Sequence, residues 1–246
     1  MKKLLEKNPQ GFALTWIGIY VVGQNLAMML NKPLGIPRLG EALMTLLESL
    51  FLLWWLQKNG LMKAFGLNRP KTSGKQMLYY LPLILLCTSN LWLGITCNLS
   101  PAGLAIHILL MLCVGFLEEL IFRGFLFEAL AKDNLKTAVV VSSLTFGIGH
   151  IVNLFNGSGM AFTDNLLQIV FAVAVGFLFV MVYLKSGSLI PCILAHEAIN
   201  ISSAFANRPA MTGKARMVIG ITELVIIGVY SVYLLKKVPG GQGRNN

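Results

Sequence analysis

Apolar runs of about 20 residues recur along this chain, and that length matches the ~30 Å hydrocarbon core of a bilayer. Eight are read, over about 12–30, 41–57, 77–96, 104–130, 137–155, 165–184, 189–206 and 217–235. Backbone N–H and C=O groups find no water in hydrocarbon, so runs of this length cross as helices. Composition agrees, with 12% charged residues against ~25% in a soluble domain and a mean hydropathy of +0.71. The expected fold is all-α: a polytopic transmembrane helical bundle of about eight spans. It forms one membrane-embedded domain over residues 1–238, with a flexible tail over 239–246. The shortest run, 41–57, carries Glu48.

The net charge of +10 invites a nucleic-acid reading, but the placement of the basic residues points elsewhere. Alternating eight spans from an internal N-terminus puts 14 Lys/Arg in cytoplasmic segments and 5 outside, with Arg123 inside a span. The cytoplasmic set includes Lys2, Lys3, Lys7, the cluster Lys58, Lys63, Arg69, Lys71, Lys75, and Lys236 and Lys237. That is the positive-inside bias. It predicts a multi-pass cell-membrane protein with both termini cytoplasmic and the bilayer, not nucleic acid, as its charged partner. Arg208, Lys214 and Arg216 run against the bias by falling outside. Glu6-Lys7-Asn8-Pro9-Gln10 interrupts the basic N-terminus, so an uncleaved first span is expected. Cys87, Cys97, Cys113 and Cys192 have no CxxC spacing and read as small apolar packing residues.

Against this background, ionisable groups within spans stand out. Glu118 and Glu119 lie mid-run with Arg123 a turn later. Each such group costs roughly 2.5–3.5 kcal/mol on insertion scales, so a cluster of them marks a functional site or a paired network. Residues four apart share a helix face, which makes Glu119 and Arg123 an ion pair and turns Glu118 about 100° away, free for chemistry. Phe146-Gly147-Ile148-Gly149-His150 closes the fifth run, its glycines and the Ser143/Gly147 pair allowing close helix approach. In the seventh, His196 and Asn200 share a face and present two donors to one point, as an oxyanion requires. The string His196-Glu197-Ala198-Ile199-Asn200 is not HExxH, because asparagine replaces the second histidine of that zinc motif. With ~1.5 Å rise per residue, Glu118, His150, His196 and Asn200 all lie roughly 16–22 Å from the cytoplasmic ends of their runs. Three separate runs thus bring polar groups to one depth. His107 reads as interfacial, and Glu48 and Glu223 have no evident partner.

Glu118-Glu119-x-x-x-Arg123, Phe146-x-x-x-His150 and His196-x-x-x-Asn200, in that order, resemble the CPBP family, the CAAX-protease and bacteriocin-processing intramembrane peptidases, also called the Abi family. The resemblance covers about 104–206, the family's four-helix catalytic core. It implies a glutamate-dependent intramembrane endopeptidase without an obligatory metal. Glu118 and His150 would activate a water, and His196 and Asn200 would stabilise the oxyanion. Glu119, Arg123 and Phe146 would be supporting residues, and no cofactor is expected. The implied substrates are membrane-associated or leader-bearing peptides and proteins.

Two alternatives remain open. A zinc protease would use Glu118, His150 and His196 as ligands, leaving a water position. A non-catalytic scaffold or transporter would use the same acids and histidines for proton relay or packing, although the chain shows neither a repeat nor paired Gly/Pro-broken runs. Oligomeric state is open, since small-residue pairs serve contacts within and between chains equally.

Overall fold

The computed structural model describes residues 1–71, 80–155 and 161–237. The expected tail 239–246 and Lys75 lie outside them. A short helix α1 (Lys2–Lys7) leads into α2 (Pro9–Leu34) and α3 (Leu39–Lys58), followed by the brief α4 (Leu81–Cys87). Next, α5 (Pro101–Glu119) passes into a π-helical segment (Leu120–Phe127) and α6 (Glu128–Ala131). The chain then forms α7 (Leu135–Gly149), α8 (Phe162–Ser186), α9 (Ile190–Ser202) and α10 (Gly213–Lys237). Among the described residues there is no β-strand, only an isolated bridge between Ile95 and Ala206.

Among the described residues six helices are long and apolar enough to cross a membrane: Pro9–Asn31, Leu39–Lys58, Pro101–Ala131, Leu135–Leu154, Phe162–Ser186 and Gly213–Lys236. They coincide with six of the eight expected runs. The chain is a multi-pass membrane protein built as an all-α bundle. The other two runs hold shorter helices. Within 77–96 the described part is α4, with Pro82 in its first turn, and a 3-10 turn at Ser89–Leu91. Within 189–206, α9 has 13 residues and rises only about 20 Å. It is short of a full span but lies inside the protein, burying Cys192, Ile193, Ala195 and His196.

Local signals set the helix ends. Ser100 accepts the Gly103 N–H ahead of α5, with Pro101 at the first helical position. Asn134 accepts the Thr137 N–H ahead of α7. Gly187 ends α8 at φ +64°, a left-handed conformation that suits glycine.

Two large buried clusters hold most of the described interior, beside a small third one at Ala42, Leu110 and Met111. One joins α8 to α9 and α10 through Leu178, Phe179, Val182, Cys192, Ile193 and Tyr230. The other joins α2 and α3 to α5, the π segment and α7 through Phe12, Trp55, Leu117, Ile121, Phe125 and Phe146. Large apolar side chains such as Leu26, Met29, Leu47, Phe162 and Val229 are left exposed, as suits helices that cross a membrane. At one end of the bundle Lys63, Lys71, Lys136 and Lys185 line a cavity of about 1110 Å³. Arg216 lines a second, of about 870 Å³, at the opposite ends of α8 and α10, and pairs with Asp164 at 2.6 Å. All four cysteines are free.

Of the two glycines expected to admit a close helix, only Gly147 does so. A Cβ there would lie 2.2 Å from Val173 Cγ2 and 2.7 Å from the Val173 nitrogen on α8. Ser143, a turn earlier, faces Gly176 in the same seam. Gly149 has open space around it. Gly147→Ala is therefore expected to cost about 1–3 kcal/mol through overpacking against backbone. Gly149→Ala should be neutral or raise stability by roughly 0.5–1 kcal/mol. Unfolding of both variants in detergent measures the contrast, and equal effects would contradict it.

Candidate active site

The site forms where the two clusters meet, because the acids lie on α5 at one cluster and His196 lies on α9 at the other. Gly115 makes this meeting close: a Cβ there would be 2.7 Å from Glu197 Cγ. Helix α9 therefore crosses α5 almost backbone to side chain, one turn before the glutamates. Directly after Glu119 the rod widens into the π segment, all of which is buried. Such segments recur at functional sites.

Glu119 is the centre of the polar network. Its Oε1 accepts from Arg123 Nη1 at 3.0 Å and from His196 Nδ1 at 2.9 Å. With the Glu119 carboxylate oxygen as acceptor, Nδ1 carries a proton. His196 Nε2 then faces Glu118 Oε2 at 3.6 Å, a charge contact outside hydrogen-bond range. The Arg123 guanidinium lies 4.1 Å from the centre of the Phe146 ring, which gives a cation with few polar partners an aromatic face. Phe146 also packs edge-on against His150 and His196, with centroids 5.6 and 5.9 Å away. One ring thus separates and orients two imidazoles and a guanidinium.

Exposure divides these residues. The side chains of Glu119 and Arg123 are 0% exposed, whereas Glu118 and His196 keep 11% and 10%. His150 is half-buried, and its backbone carbonyl accepts from Asn165 on α8. Asn200 lies one turn beyond His196, its carbonyl held by His107 Nε2 at 3.2 Å and Ser203 Oγ at 2.6 Å. Neither cavity noted above is lined by Glu118, His150, His196 or Asn200.

Three residues are placed differently from, or beyond, the sequence reading. His107, read as interfacial, is buried within the protein, linking Arg38 Nη1 at 3.0 Å to Asn200. Capping at Ser100 starts α5 early enough to put His107 nearly two turns inside it, with Arg38 covering that end. Tyr20 on α2 donates its hydroxyl to Glu118 Oε1 at 2.7 Å. No sequence signal pairs residues 98 apart, although a tyrosine in the first apolar run marks a polar tip needing a partner. Phe179 completes the cage, its ring 5.9 Å from His196. Glu48 is buried against Gly23, where a Cβ would meet its Oε1 at 2.7 Å, and Glu223 lines the smaller cavity. As for zinc, no three His, Cys, Asp or Glu side chains among the described residues form a group that could hold a metal ion, Glu118, His150 and His196 included.

Residues 100–202 match the family model described as type II CAAX prenyl endopeptidase Rce1-like. This core matches the CAAX protease family. The match spans α5 through α9 and takes in every residue of the three motifs, so the CAAX-protease resemblance read from the sequence holds. It indicates a protease of the CAAX type acting in the membrane. No curated protein and no solved structure matches the chain.

The buried pair gives a direct test of the frame. Removing one partner of a buried ion pair strands the other charge, at a cost of about 3–5 kcal/mol. Arg123→Met should lose stability on that scale in detergent unfolding, and adding Glu119→Gln should recover part of the loss. A double variant less stable than Arg123→Met would contradict the pairing.

Proposed function

We propose that this chain is an intramembrane endopeptidase in which Glu118 and His150 hold and activate a water. Substrates are membrane-associated or leader-bearing peptides and proteins. The water oxygen attacks the scissile carbonyl carbon while Glu118 takes its proton. The carbonyl oxygen becomes an oxyanion, and His196 Nε2, in the doubly protonated imidazole, donates to it together with the Asn200 side-chain amide. Collapse of the intermediate breaks the C–N bond as Glu118 passes the proton to the leaving nitrogen. No Ser or Cys nucleophile is needed.

The observation that carries this reading is the exposure split within one network. Glu119 and Arg123 are sealed, as suits a frame, while Glu118 and His196 retain the access that a hydrolytic water needs. Nε2 makes no direct hydrogen bond to Glu118 at 3.6 Å, which leaves it available to a reacting oxygen. We further infer that the lysine-lined end, with Lys63, Lys71, Lys136 and Lys185, faces the cytoplasm, in keeping with the positive-inside bias.

Two measurements check the proposal. N-terminal proteomics of cells carrying wild type or Glu118→Ala should reveal new peptide N-termini that depend on Glu118. A profile unaffected by the substitution would remove the peptidase reading. In vitro, cleavage is expected to persist in excess chelator. Stoichiometric zinc whose removal abolishes cleavage would establish the zinc mechanism instead.

A further inference from the structure

The first long helix, outside the matched segment 100–202, reaches the candidate base directly. The hydroxyl of Tyr20 is 2.7 Å from Glu118 Oε1, while Oε2 faces His196. The two oxygens of one carboxylate therefore have different surroundings. A glutamate's terminal torsion is broad and roughly two-fold, so without a partner either oxygen could face the substrate. A hydrogen bond to one oxygen removes that ambiguity, and bonds to a carboxylate are among the stronger ones.

The hydroxyl is held in place because α2 is. Phe12 packs on Trp55 and Phe125 with centroids 5.6 and 5.0 Å away. Gly23, one turn past Tyr20, makes room for the Glu48 carboxylate of α3. A Cβ on Gly40 would come within 2.2 Å of the Ala27 carbonyl oxygen, so α3 lies against α2 at its far end as well. Asn31 then bonds Glu41 and the Gly40 N–H across the same seam.

Resting on the proposed role of Glu118, we infer that Tyr20 is a positioning residue for it. Its hydroxyl occupies Oε1 and leaves Oε2 as the atom that takes the proton from water. The active site is thereby completed by α2, and the core of α5 to α9 alone lacks this constraint.

Tyr20→Phe removes one oxygen and keeps the ring. In purified protein reconstituted into lipid, kcat should fall about 10- to 100-fold, the scale of a misplaced reacting group. KM should change by less than about twofold while the protein stays folded, whereas a merely structural role would lower stability without a selective loss of kcat. In a Glu118→Gln background, where residual cleavage is followed at high enzyme concentration, adding Tyr20→Phe should cause no further loss, because both act through one carboxylate. Wild-type kcat in Tyr20→Phe beside a crippled Glu118→Gln would overturn this inference alone. So would an equal, independent loss in the double variant. Full activity in Glu118→Gln would overturn both this inference and the reading beneath it.

Discussion

A charge inside an apolar bundle persists only where an opposite charge meets it, and here Glu119 meets two. Arg123 and His196 both donate to its Oε1, so one carboxylate ties the π segment to α9. Glu118 follows on the far side of His196, and Tyr20 closes the series from α2. The order Arg123, Glu119, His196, Glu118 alternates sign when the imidazole carries both protons. Alternation is what makes such a group tolerable in low dielectric, because each ion is partly compensated by its neighbours. The packing of α5, α9 and α2 is in this sense a consequence of where the charges had to meet.

Small residues supply the room for that meeting. Gly115 lets Glu197 and hence α9 approach α5, and Gly147 with Ser143 brings α7 against α8. Without a hydrophobic force between helices in lipid, such close contacts carry much of the association. Phe146 uses the seam to present one ring to Arg123, His150 and His196 together. Its edges and face are matched to different neighbours, since the ring's negative face suits the guanidinium and its positive edge does not.

Much of this was legible in the sequence, for physical reasons. Apolar length fixes helices in hydrocarbon, and the four-residue spacing fixes the Glu119–Arg123 pair, so both could be read without coordinates. Depth arithmetic predicted one level for residues 118, 150, 196 and 200, and of these the structure brings Glu118 and His196 to 3.6 Å and sets the Phe146 ring against both His150 and His196. What escaped was information carried by packing alone. Nothing local distinguishes Gly147, pressed against Val173, from Gly149, which faces open space. The burial of His107 depends on Arg38 and on the carbonyl of Asn200, both far away in the chain. The reach of Tyr20 to Glu118 spans α2 and the α5 rod, which meet through the edge-on contact of Phe12 with Phe125. Helix α9 looked long enough to cross because its apolar run continues past Ser202 into a 3-10 turn at Ser203–Phe205.

The central claim is that Glu118, held at the edge of a sealed ionic frame, moves the proton of a hydrolytic water. Single-turnover cleavage by Glu118→Gln in reconstituted bilayers tests it most directly, since the amide preserves shape and removes the base. The rate should drop about 10²- to 10⁴-fold, the usual worth of a general acid–base group, with the unfolding midpoint unchanged. Cleavage at the wild-type rate would contradict it.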